Sequence, residues 1–272
     1  MSENAVTVVC KSLVDPSMQE KFKSVLPPHV SLDRFTRVTL TAIQQNPAVL
    51  EGDRQSLYNS CVNAAQRGLM PDGKDGALVV FNAKQGDNWI KKVQFMPMVE
   101  GIIKEMAKAG IKAYAVSVYA NDKVEIWNDD SGQHVKHVPV VFGDRGERIG
   151  ALACATDAEG RTYVEAMNMD ELERIRSKSR SVKKDGTVTG PWADSPERME
   201  QKTVLHRVRK RVPIIGHDDI VERLQEDEAA EIPQEAATDA PKPATVATKR
   251  PRGLQAVIDS AEEAPPETED TF

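Results

Sequence analysis

Five strand-like runs follow one another between Ile111 and Met167, with helical patterns only before and after them. The runs are Ile111–Tyr119, Lys123–Trp127, His134–Val141, Ile149–Thr156 and Tyr163–Met167. Helices, then strands, then helices predict an α+β fold with an antiparallel meander, a small antiparallel sheet or β-hairpin packed against several helices. A doubly wound parallel sheet would alternate the two element types.

The flanking elements carry their own start and stop signals. Ser31 precedes Leu32, Phe35, Val38, Ala42 and Ile43, a helical stripe stopped by Asn46-Pro47. Leu57, Cys61, Ala64, Ala65 and Leu69 mark a second helix, ended by Gly68 or by the Pro71-Asp72-Gly73 turn. Short segments at Ala77–Ala83 and Lys91–Met96 flank Lys84–Ile90, which predicts a β-hairpin with a long polar tip. Val99, Ile102, Ile103 and Met106 mark a helix closed by Gly110. From Ala229 onward Glu, Ala, Pro and Thr dominate, a composition too poor in large apolar residues to order itself. The expected division is a core over residues 1–215, then residues 216–272 as a short helix and a disordered acidic tail.

Several kinds of chemistry find no support. Cys10, Cys61 and Cys154 lie far apart with no C-x-x-C pair, which argues against a zinc site or a disulfide framework. Cys61 and Cys154 read as buried small hydrophobes. His134 and His137 fall on one strand at a spacing that sends the rings to opposite faces, so no metal site is expected there. Gly68–Asp75 fits G-x-x-x-x-G-K but has Asp75 where a Walker A loop carries Ser or Thr, and a helix precedes the loop instead of a strand. Asp129 and Asp130 sit in a turn-like stretch. No nucleophile–base constellation emerges, and no enzyme is predicted. No apolar run reaches membrane-spanning length, and the first residues lack a signal-peptide layout, so a cytoplasmic protein is expected.

The formal net charge of −6 averages two unlike segments. Residues 213–272 hold five basic and fifteen acidic residues, whereas residues 1–212 hold 31 basic and 27 acidic ones. Arg174–Arg211 is the most cationic stretch, with twelve Lys and Arg against Asp185, Asp194, Glu197 and Glu200. Such asymmetry points to a polyanion partner for the basic part. Within it, Asn168 and Glu171 read as an N-cap and its reciprocal partner, opening a helix over Met169–Arg180. A Ser-, Gly- and Lys-containing loop follows, and Asp194 or Ser195 with Pro196 starts another helix. On that helix Val204, Leu205, Val208 and Val212 fall on one side, and Lys202, His206, Arg209 and Lys210 on the other. An apolar stripe facing a core and a cationic stripe facing a ligand are therefore expected.

An ordered set of segments carries a family resemblance: Phe35–Pro47 (FTRVTLTAIQQNP), Ala64–Gly73 (AAQRGLMPDG), Met96–Ile103 (MPMVEGII), Gly150–Ala153 (GALA), Met169–Ser177 (MDELERIRS), Gly190–Trp192 (GPW) and Lys202–Arg207 (KTVLHR). Together they cover most of Leu32 to Pro213, and the chain resembles the RecT branch of the RecT/Red-beta family of single-strand annealing proteins. It departs at Met98-Val99-Glu100-Gly101, where many relatives have Gly-Tyr-Lys/Arg-Gly, so a basic or aromatic contact does not carry over to Val99 and Glu100.

The resemblance implies ATP-independent annealing of complementary DNA strands in homologous recombination, in the cytoplasm of a bacterial host and usually phage-encoded. It implies a fold similar to that of eukaryotic ring-forming annealing proteins. It also implies a homo-oligomer, ring or helical filament, that holds single-stranded DNA and the annealed intermediate in a basic groove. A partner exonuclease and a host single-stranded-DNA-binding protein come with it. No cofactor is implied, Mg²⁺ being at most a modulator of DNA binding. Residues 1–215 are then the DNA-binding, annealing and oligomerisation core. The expected contacts are Arg174, Arg176, Lys178, Arg180, Lys183, Lys184, Lys202, His206, Arg207, Arg209 and Lys210, with Lys74, Lys84, Lys91 and Lys92 on the hairpin side. Trp89 and Trp192 are expected to stack on bases or to pack. The alternative function is a single-strand binder that protects DNA without annealing it.

Overall fold

A computed structural model describes residues 3–85, 88–179, 181–183, 185–214 and 216–231. Two helices that the sequence pattern does not announce come first, α1 (Glu3–Leu13) and α2 (Pro16–Val25). Asp15 caps α2 by accepting from the Ser17 amide at 3.0 Å, and Pro16 takes the first position, where no amide is needed. α3 (Leu32–Gln45) starts at the expected Ser31 cap and ends at Asn46. A 3-10 turn over Pro47–Glu51 leads to α4 (Arg54–Arg67), which Gly68 stops in the left-handed conformation. A Cβ at Gly68 would also lie 2.8 Å from Pro27, so space and backbone both demand glycine.

The hairpin strands β1 (Gly76–Gln85) and β2 (Asn88–Pro97) pair from Gly76↔Pro97 to Gln85↔Asn88. The expected long polar tip is thus mostly ladder. Backbone hydrogen bonds pair the strands whatever their side chains, and exposed positions accept polar residues. Val93 and Phe95 near its base join α1–α4 in a first core around Phe22, Phe35, Ile43 and Leu57.

α5 (Val99–Lys108) follows, then β3 (Lys112–Tyr119), β4 (Lys123–Asp129), β5 (Gly132–Val138), β6 (Arg148–Thr156) and β7 (Thr162–Asn168). All five expected strands form, but not as one meander. β3, β6 and β7 make an antiparallel sheet in that order, and β4 pairs only with β5 as a separate hairpin. β5 stops before Pro139, which has no amide to donate, and Asp122 draws the following loop inward by accepting from the Val140 amide and Arg145. His134 stacks on Trp127 while His137 bonds Asp122, so the two rings do lie on opposite faces.

Alternation along β6 divides the remaining core. Ala151, Ala153 and Ala155 face a second core with α5, α6 (Met169–Arg176), α8 (Pro196–Arg209) and α9 (Asp218–Glu231). Leu152 and Cys154 face a small third core under β4 and β5. A four-residue helix, α7 (Pro191–Asp194), leads into α8. Cys61 and Cys154 are buried as expected, and burial pushes the Cys61 thiol up to about 12. α9 is the short helix expected after residue 215, and it packs on the body, with Ile220 and Leu224 buried beside α8. The acidic tail lies outside the described residues. Among those described, no helix is long and apolar enough to cross a membrane.

Candidate nucleic-acid interface

The basic region opens on a capping box. Asn168 Oδ1 accepts from the Glu171 amide at 2.9 Å, and Glu171 accepts from the Asn168 amide at 3.3 Å. α6 stops at Arg176, short of the expected Arg180, and a loop closed by a Val182↔Val188 bridge carries the chain onward. Arg174, Lys178 and Lys183 are exposed along this path, and none has a carboxylate within 4 Å among the described residues. Arg176 pairs with Glu173 on its own helix. Arg180 and Lys184 lie outside the described residues.

α8 corrects the expected two-sided helix. Val204, Leu205, Val208 and Val212 are buried as expected, but Lys202, His206 and Arg209 are only 1%, 4% and 3% exposed. The sheet packs on one side of α8, and α9 approaches its cationic side, so the helix is enclosed on more than one face. In this arrangement these three side chains are not available to a phosphate in solvent. The exposed cations of α8 and its end are themselves paired. Arg207 lies 3.0 Å from both Glu165 and Glu171, Arg211 2.7 Å from Glu165, and Lys210 2.6 Å from Glu228. β7, α6 and α9 thus supply carboxylates that no window over Arg174–Arg211 contains.

A buried ion cluster locks this arrangement. Arg67, at the end of α4, donates to Glu105 of α5 at 2.8 and 2.6 Å and to Asp227 of α9 at 2.9 and 2.5 Å. Burial opposes the guanidinium charge, but the two carboxylates outweigh it and push its pKa up. Charge pattern does not mark Arg67, although it lies in the Ala64–Gly73 segment, since its partners lie 38 and 160 positions away.

The hairpin side presents a separate cleft of ≈ 450 Å³ where β1, α5, α7 and the start of α8 meet. Lys74 is exposed at its edge, and Arg198 pairs there with Glu100 at 3.1 Å. The departure from the family pattern therefore falls inside this cleft and neutralises one of its cations. Lys91 pairs with Glu51 at 2.5 Å, and Lys92 is half-buried. Lys84 sits opposite Trp89 in the ladder, its side chain outside the described residues. Trp89 is 70% exposed, whereas Trp192 is buried and packs beside α6 and α8.

The fold thus brings the end of α6, its loop and the end of α8 together, with Ile175, Ser179, Arg207 and Lys210 around one cavity. Lys74 and the hairpin lysines do not line that cavity. Arg67 and Arg198 are engaged in the structure although the charge pattern of the basic segment gives neither of them a role. A family model described as the RecT family matches residues 33–242. The chain is 28% identical over 256 residues to Protein RecT of Escherichia coli (strain K12), covering 91% of this chain and 87% of that protein.

Proposed function

The chain belongs to the RecT family of single-strand annealing recombination proteins, and on that premise we propose that it binds single-stranded DNA and pairs it with a complementary strand without ATP. The observation that carries the reading is the family match across 33–242, which spans the packed body from α3 through α9. Arg174, Lys178 and Lys183, exposed and without carboxylate partners among the described residues, are the residues best placed to meet phosphates. Annealing makes no covalent bond. Its barrier comes largely from strand–strand repulsion, and cations along one strand lower it at the cost of salt sensitivity. Holding a strand extended lets the second strand, not the protein, read the sequence.

The working form is a homo-oligomer, ring or helical filament, acting in the bacterial cytoplasm. A partner exonuclease supplies the strand, and a host single-stranded-DNA-binding protein is handed off or displaced. Mixing two complementary fluorescently labelled oligonucleotides tests the core of this. With no nucleotide triphosphate present, the protein should accelerate pairing, and the acceleration should fall steeply as salt rises. Slower pairing than in its absence would instead mark a protector of single strands.

A further inference from the structure

Where α6, α7, α8 and α9 meet lies a cavity of ≈ 330 Å³, lined by Ile175 and Trp192 together with Ser179, Thr203 and His206, and bordered by Arg207, Lys210 and Glu228. His206 is almost wholly buried, and neither ring nitrogen has a hydrogen-bond partner among the described residues. A buried polar group left so is unfavourable, and an unsatisfied group beside a cavity calls for a partner that occupies it. Burial, followed by the charges of Lys202, Arg209, Lys210 and Arg67, keeps the imidazole neutral, with one donor and one acceptor nitrogen. We propose that this cavity holds one nucleobase of the bound strand, its edge bonded to His206 and its ring packed among Ile175 and Trp192.

The chemistry selects a base over a bare anion. The walls combine aliphatic and aromatic surface with a neutral donor–acceptor pair, and they offer a buried phosphate no free counter-charge, because Arg207 and Lys210 at the border are already paired with carboxylates. A nucleobase has apolar faces and an edge of donors and acceptors. Its phosphates would remain outside in solvent, at the rim of the cavity. Unstacking a base is least costly in a single strand. One base per subunit would then be withheld from pairing until the second strand arrives, which sets the register of the strand. The inference rests on the reading of the chain as a single-strand binder.

The test uses the full chain with an oligothymidylate carrying 4-thiothymidine, irradiated and mapped by mass spectrometry. An adduct on Trp192, Thr203 or His206 is the expected result. A second arm adds millimolar thymidine monophosphate. An unchanged adduct assigns the site to a base within the strand. Loss of the adduct while the oligonucleotide stays bound shows that a free nucleotide competes with the strand's base for the same cavity, which the assignment also predicts. Adducts elsewhere only, on a bound oligonucleotide, overturn the cavity assignment and leave the annealing reading standing. Failure to bind any oligonucleotide overturns both. Independently, His206→Phe, which keeps a ring but removes the hydrogen bonds, should cut the preference for oligothymidylate over an abasic oligomer about fivefold. An unchanged preference in a folded variant would count against the proposal.

Discussion

At the scale of single residues, position in the fold separates cations that are alike in sequence. Arg67 and Lys202 are buried, and Arg174 and Lys178 reach solvent. Replacing Arg67 with Met leaves Glu105 and Asp227 buried without their counter-charge, so urea denaturation should show a loss of about 3–5 kcal/mol. Reversing Arg174 and Lys178 together to Glu should instead leave the melting temperature unchanged and weaken oligonucleotide binding. Its salt dependence should also become shallower, by about 0.7 in log–log slope for each phosphate no longer neutralised, in a titration across salt concentrations. His206 gives a pH dependence of definite sign. Its pKa in the folded chain lies well below 6.5, because burial and then Lys202, Arg209, Lys210 and Arg67 disfavour the charged ring. The unfolded chain therefore binds a proton that the folded chain does not. This cost is absent above pH 6.5 and grows below it, by up to about 1.4 kcal/mol per pH unit. Thermal melts between pH 8 and 5 should show this decline, and His206→Asn should flatten it.

Among the elements, α9 is the short helix expected after residue 215, but its part in the core is not legible in its composition. It holds seven acidic residues against Arg223, yet Ile220 and Leu224 are buried and Asp227 closes the Arg67 cluster. A chain ending at residue 217 should lose cooperative unfolding or melt markedly lower by calorimetry, and one ending at 234 should melt like the full chain. An equal melting temperature for both would show that α9 contributes nothing to the body. α8 illustrates the opposite error. Its 3.6-residue pattern correctly assigns Val204, Leu205, Val208 and Val212 inward, but periodicity describes one buried face only. When a second element covers the opposite face, the polar stripe is buried too, and its charges must be met by carboxylates such as Glu228. The strands were legible because each is a short apolar or alternating run bounded by turn residues, a pattern local to its own segment. The peeling of β4 and β5 away from the other three was not, since both arrangements share the same alternation.

For the molecule as a whole, charge partition changes once α9 joins the body. Residues 1–234 hold 32 basic and 34 acidic residues, so the folded part is close to neutral and any attraction for DNA is a local surface property. Removing residues 235–272 takes away eight acidic and four basic residues. Oligonucleotide binding should be retained or tighter at low ionic strength, the difference fading in higher salt as screening shortens the reach of the tail's field. A loss of binding at all salt concentrations would show that the tail itself touches the DNA. The sequence by itself determined the α+β class, the caps at Ser31 and Asn168, the stops at Asn46 and Gly68, most strand positions and the family, because each depends on local pattern or ordered motifs. Only the tertiary structure decided which of the described cations in Arg174–Arg211 remain available. A carboxylate cancels a cation by distance in space, and Glu100, Glu165, Glu171 and Glu228 reach theirs from outside the basic segment.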